Sequence, residues 1–260
     1  MKILTIGDVV SEAGVKMLRR RLPGLRKELS ADFVVANGEN ACGVGITPRE
    51  AETIYRAGAD VITLGNHTYK RQEIKPFLDQ AGYMLRPLNF APRAPGRGVA
   101  VYELGFTRVR VINLIGRCFM DFGPDNPFDA ADRALSFGEA DVTVVDFHAQ
   151  ATSEKEALGY YLDGRVAVFF GTHTHVQTAD EKVLPAGTGY ISDLGMTGPR
   201  HSVLGVLPED SIAMFRGEQP GRLRGAAGPC YLCGALFDVD EVRGRCKSVT
   251  RVQITEDENG

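Results

Sequence analysis

KILTIGDVVSEAGVKMLRRRLPGLRKELSADFVVANGEN, residues 2–40, decides the fold. It opens with a short apolar run (2–7), continues as an amphipathic stretch from about Glu12 to Leu29, and returns to an apolar run at DFVVANG (32–38). Short apolar runs separated by helical patterns predict a largely parallel sheet covered by helices. The alternation continues with Thr47 and Pro48, where Glu50 supplies the capping-box partner of a helix start. DVITLG (60–65) then precedes a helix over Arg71 to Gln80, and GVAVYELGFTRVRVINLIG (98–116) reads as a hairpin about Gly105. DVTVVDF (141–147), SEKEALGYYL (153–162) and VAVFFG (166–171) restore strand, helix, strand. In the last third GYISDLG, CYLCGALFDVD and KSVTRVQIT read as antiparallel strands, and the acidic tail EDENG should fray. The expectation is one α/β domain over residues 1–260, with two packed sheets, the second partly antiparallel, flanked by helices.

Composition narrows the function classes. Hydrophobic residues at 43% and charged residues at 24% describe an ordinary globular protein. A net charge of −3 provides no global basic field, so duplex DNA is not expected as the main partner. The first ten residues carry one Lys and an apolar run too short for a signal peptide or a membrane span, which predicts a cytoplasmic protein. Five scattered cysteines do not form a disulfide framework. Cys230 and Cys233 form a CxxC followed only by Cys246, for which buried strand thiols are a better reading than zinc.

Five apolar runs stop and are followed at once by metal-competent residues: Asp8; Glu39 and Asn40; Asn66 and His67; His148; His173 and His175. The carboxyl ends of parallel strands converge on one edge of an α/β sheet, so these residues should meet there. Four of the five histidines sit at these strand ends, leaving out His201. Gly7, Gly38, Gly65 and Gly171 fit sharp turns or close backbone approach. Asp8, Glu39, Asn40, Asn66, His148, His173 and His175 make seven candidate ligands, too many for the roughly four of a zinc site. Two ions sharing a carboxylate fit better, and oxygen and imidazole donors without thiolate suit iron or manganese, with zinc as an alternative. Such a pair is a common means of phosphoryl displacement.

The order GD, GEN, GNH, a strand-end His, then THTH resembles the calcineurin-like metallophosphoesterase superfamily. More narrowly, GDVV, ANGENACGVGIT, TLGNHTY, DFHAQATSEK, GTHTHVQTAD and SDLGMTGP resemble the bacterial YmdB-type family of cyclic-nucleotide phosphodiesterases, from Asp8 to about Pro199. The resemblance implies a four-layered αββα sandwich of two mixed sheets flanked by helices. It implies that Glu39 bridges two metals, that Asp8, Asn40 and His175 complete one site, and that Asn66, His148 and His173 complete the other. His67 would be the catalytic acid in hydrolysis of 2′,3′-cyclic nucleotides such as 2′,3′-cyclic AMP, with a hydroxide between the metals as nucleophile. Val10 stands where many superfamily members have His, and Glu39 where they have Asp; both departures agree with the narrower family and make Asn40 a replacement ligand.

Softer candidates are Arg117 and Phe119 for phosphate and base, and Asp193 and Thr197 for orienting a ligand imidazole. A monoesterase or nuclease, or a regulatory nucleotide- or RNA-binding protein with structural metals, are the alternatives. Homo-oligomerisation is left open.

Overall fold

The computed structural model describes residues 1–120, 123–218 and 221–257. The chain runs β1 (Lys2–Ile6), β2 (Asp8–Val9), α1 (Ser11–Glu28), β3 (Phe33–Asn37), α2 (Pro48–Arg56), β4 (Val61–Thr63), α3 (Ile74–Gln80) and β5 (Met84–Leu85). The hairpin β6 (Val99–Leu104) and β7 (Thr107–Ile115) leads to α4 (Pro127–Leu135), β8 (Val142–His148), α5 (Thr152–Tyr161) and β9 (Val168–Thr172). Last come β10 (Lys182–Val183), β11 (Gly189–Ile191), β12 (Met196–Pro199), α6 (Pro208–Phe215), β13 (Cys230–Asp240) and β14 (Arg245–Thr255). None of these helices is long and apolar enough to cross a membrane.

Two mixed sheets result. The first has the order β2-β12-β13-β1-β3-β4-β5, with β14 also paired to β13; the second has the order β10-β11-β9-β8-β7-β6. Strands β1, β3, β4 and β5 are parallel, as are β7, β8, β9 and β11. The antiparallel C-terminal pair joins the first sheet, where β13 inserts between β12 and β1. Both sheets are therefore mixed, as the resemblance implies. Gly234 makes the insertion close, since a Cβ there would lie 2.1 Å from the Thr5 carbonyl oxygen.

Period-two alternation sorts the side chains into four layers. Leu4, Val34 and Ile62 face Met17 and Leu18 of α1 and Ile54 of α2. Their strand neighbours Ile3, Val35 and Val61 face Val111, Val144 and Phe170 of the second sheet. On its far side Ile112, Val145 and Phe169 pack on Ala130 of α4 and Leu158 of α5. This is the αββα sandwich. The capping box of Thr47 and Glu50 opens α2 as predicted.

Cys230 and Cys233 lie on β13, both buried, and Cys246 is buried on β14; all are free thiols. Burial pushes Cys233 up to about 11 and Cys246 up to about 12, as expected of inert core thiols. The tail is anchored further than expected. Glu256 accepts from the Cys230 amide through its side chain, donates its own amide to the Cys230 carbonyl and pairs with Arg20. Residues 258–260, the remainder of the predicted frayed end, lie outside the described residues.

Candidate metal centre

The face between the sheets is apolar along most of its length and turns polar at the carboxyl ends of the parallel strands. The alternation that buries Val35, Val61, Val144 and Phe170 carries Asn37, Thr63, Asp146, His148 and Thr172 onto the same inner face. All five are buried. The loops that leave these strands bring in the other polar groups.

Around His148 Nε2 lie Asn66 Oδ1 at 2.9 Å, His173 Nδ1 at 3.0 Å and Glu39 Oε1 at 3.2 Å. A ring nitrogen carries one proton or one lone pair, so it can satisfy only one of three such neighbours. A cation at their centre would satisfy all. Next to this group, His175 Nε2 lies 3.1 Å from Asn40 Nδ2 and 3.7 Å from Asp8 Oδ1. Asp8 is fully buried and, among the described residues, its Oδ1 has no hydrogen-bond partner, while Oδ2 accepts from the His173 amide. A buried carboxylate oxygen left unpaired is costly in a protein interior, and a metal ion is a fitting partner. Glu39 joins the two groups, because its Oε1 also accepts from Asn40 Nδ2 at 3.0 Å.

The electrostatics agree. Burial opposes the charge on Glu39, yet His148 and His67 outweigh it and hold the carboxyl well below its usual range. Burial likewise opposes charge on His148, but Glu39, Asp8 and Asp146 push it up to about 9. Burial and the neighbouring His148 push His173 down to about 3, so it offers a lone pair. Burial raises Asp8 despite His175 and His148.

Asn40 departs from expectation in one respect. It turns its amide nitrogen toward Glu39 and His175 and its oxygen toward His67 Nδ1, 2.8 Å away. Serving as a ligand requires the amide to turn over, which would set its NH₂ against His67 Nδ1 and keep the imidazole proton on Nε2. His67 is otherwise placed beside the cluster, not inside it. Its main-chain N–H donates to Glu39 Oε2 at 2.9 Å, and its side chain is 27% exposed.

Glycine permits this crowding. A Cβ on Gly65 would lie 2.3 Å from the His148 ring and 2.4 Å from Glu39 Oε2, and one on Gly171 would lie 1.9 Å from the Ser192 carbonyl oxygen. None of Gly7, Gly38, Gly65 and Gly171 adopts positive φ, so close approach and not turning is their role. Strain sits instead on His173 and His175, at φ 105° and 65°. The main chain between them is held by Asp193, whose Oδ2 accepts from the Thr174 amide at 3.1 Å and from Lys155 Nζ at 2.7 Å. Asp193 therefore supports the backbone of the two histidines without touching an imidazole. Thr197 touches none either, and among the described residues its buried hydroxyl has no hydrogen-bond partner. Arg117 and Phe119 are exposed on the loop after β7, where Glu154 binds the Arg117 amide.

Four polar residues within the strands were not singled out by sequence. His148 Nδ1 faces Thr172 Oγ1 at 2.9 Å, and Thr172 donates to Asp146 Oδ1 at 2.8 Å. Thr63 and Asn37 of the opposite sheet donate to Asp146 Oδ2 at 2.5 and 3.1 Å. This chain places the His148 proton on Nδ1 and leaves Nε2 for the cluster. Partners of this kind are typically worth about 10- to 100-fold in metal affinity. Thr172→Val should weaken metal binding by that order, measured by titration of the metal-free protein; unchanged affinity would show that the chain does not orient the ring.

The model of the YmdB-like protein family matches residues 4–252. The chain belongs to the YmdB-like family. A family relative from Bacillus subtilis (strain 168), a 2′,3′-cyclic-nucleotide 2′-phosphodiesterase, is 41% identical over 99% of this chain and 98% of its own. A solved structure, a novel phosphatase from Mycoplasma pneumoniae, superposes with a TM-score of 0.93 at 33% identity, covering 99% of this chain and 94% of the other. The fold extends beyond the family: calcineurin-like phosphoesterase YfkN from Bacillus subtilis superposes with a TM-score of 0.55 at 11% identity, over 100% and 91% of the two chains. The chain thus has the calcineurin-like phosphoesterase fold.

Proposed function

We propose that this chain is a metal-dependent phosphodiesterase that hydrolyses 2′,3′-cyclic nucleotides such as 2′,3′-cyclic AMP, acting as one cytoplasmic domain over residues 1–260. The observation that carries the reading is the placement of Glu39 between two groups of donor atoms, with His67 alongside. Asp8, Asn40 and His175 would hold one ion, and Asn66, His148 and His173 the other, with Glu39 shared. The oxygen and imidazole donors favour iron or manganese, with zinc as the alternative. When bound, two such ions supply a water acidic enough to attack near neutral pH and offset charge on the phosphate.

The remaining chemistry belongs to the chain's own side chains. With Nδ1 engaged by Asn40, His67 has Nε2 to present to a substrate, and its proton passes to the departing ribose oxygen. Asp146 and Thr172 fix the His148 ring, while Asp193 fixes the main chain of His173 and His175.

The activity is tested by turnover with added manganese or iron on 2′,3′-cyclic AMP, nucleoside monophosphates and short RNA. Cyclic nucleotides should be hydrolysed fastest. Faster release of phosphate from monophosphates at saturating metal would overturn the diester assignment, and turnover of none would leave a binding protein.

A further inference from the structure

Helix α5 buries Lys155, Leu158 and Gly159, a spacing that places all three on one helix face. A lysine is almost never buried on such a face unless it is paired, and Lys155 is the only buried lysine among the described residues. Its partner is Asp193, whose Oδ2 lies 2.7 Å from Nζ; the two side chains are 2% and 1% exposed. Gly171 leaves room for the stem, since a Cβ there would lie 2.8 Å from Lys155 Cδ.

Asp193 is held at every polar atom. Its main-chain N–H donates to Thr178 Oγ1 at 3.0 Å, and its carbonyl accepts from the Thr178 amide at 3.1 Å. Oδ2 also accepts from the Thr174 amide, between His173 and His175, and Oδ1 accepts from the Gly195 amide at 2.9 Å. The Gly195 carbonyl in turn accepts from the Asp8 amide at 3.0 Å, and Asp8 Oδ2 accepts from the His173 amide at 3.0 Å. Asp193, Gly195, Asp8, His173 and Thr174 thus close a ring of hydrogen bonds that contains proposed ligands of both metal positions. His173 and His175 have positive φ, a conformation that persists only where the surroundings over-determine it.

We infer that Lys155 is a positioning residue for both metal positions: its ammonium fixes the Asp193 carboxylate, which sets the main chain of His173, His175 and Asp8. The inference rests on the two-metal reading above. Both Asp193 oxygens are needed as acceptors, which the ionised carboxylate provides. A carboxylate ionised at that depth is stable only when it is paired. Lys155 supplies the pairing charge from the helix layer, so it acts on the metal centre without touching a ligand side chain.

The test titrates metal-free wild type, Lys155→Met and the double variant Lys155→Met with Asp193→Asn with manganese, alongside melting temperature. Methionine keeps an unbranched chain over Gly171 and removes the charge. Groups that orient ligands are typically worth about 10- to 100-fold in metal affinity, and Lys155→Met should weaken both positions by that order. The double variant leaves no unpaired charge, so it should recover the melting temperature lost in the single one. It should not recover metal affinity, because asparagine sets its NH₂ against either the Thr174 or the Gly195 amide. Unchanged affinity in Lys155→Met, or affinity restored together with melting temperature, would overturn the positioning role. If Lys155→Met does not fold, the double variant decides: weakened binding supports the role and wild-type affinity refutes it. Wild type that binds no manganese would sink the two-metal reading by itself. Amide exchange of the metal-free proteins then decides the role of Lys155. Protection of the Asp8, Thr174 and Gly195 amides should fall in the variants while that of β3 holds, and unaltered protection at all three would overturn it.

Discussion

Glu39→Gln should strip both metal positions together and lower kcat/KM for a phosphodiester by about 10³-fold or more. Lewis-acid stabilisation of a phosphoryl transition state is worth several kcal/mol, and each ~1.4 kcal/mol is tenfold in rate. Glu39 is 1% exposed, and each oxygen already has an assigned neighbour: Oε1 faces His148 Nε2 and Asn40 Nδ2, and Oε2 accepts from the His67 amide. Glutamine keeps the shape but turns one of the two acceptors into a donor. Whichever way its amide sits, an N–H then faces the His67 N–H or the Asn40 NH₂, and the negative charge that offsets both cations is lost. Elemental analysis of the purified variant should therefore show both ions depleted, with recovery of neither at metal concentrations that saturate wild type. Loss of one ion, with the other held at unchanged affinity, would contradict the bridging position.

The strand ends could be read from sequence because their signal is local. Asp8, Glu39, Asn66, His148 and His173 each follow an apolar run directly, and parallel strands bring such ends together whatever the order of the sheet. The supporting chain of Asn37, Thr63, Asp146 and Thr172 has no such local mark. Each is one polar residue inside a buried strand, and its meaning depends on register: His148 lies opposite Thr172 on β8 and β9, while Asn37 and Thr63 reach Asp146 from the other sheet. The same reasoning explains the two missed helices. The buried face of α4 is Ala130, Ala131 and Ala134, too small to stand out as an apolar stripe. In α6 the large residues point outward, with Ile212 57% and Phe215 81% exposed, so apolar periodicity does not mark a core face. Strand β13 could be read as a strand but not placed, since its neighbours β12 and β1 are far apart in the chain.

His67→Ala should separate two kinds of leaving group. A ribose alkoxide is strongly basic and needs a proton as it departs, whereas nitrophenolate is stable enough to leave without one. General acid catalysis is typically worth about 10² to 10⁴ in rate, so the variant should lose about 10²-fold or more on 2′,3′-cyclic AMP and much less on a nitrophenyl diester. The geometry favours this outcome over a simple loss of metal. The contact that His67 makes with Oε2 of Glu39 comes from the main-chain N–H, which alanine retains. The ring contributes only Nδ1 to the cluster's surroundings, at 2.8 Å from Asn40 Oδ1 and 3.4 Å from Glu39 Oε1. Metal content should stay near that of wild type, with any weakening confined to the position that Asn40 serves. An equal rate loss on both substrates, accompanied by loss of metal, would make His67 a ligand or a support for Glu39 and would leave the departing oxygen to be protonated by another group.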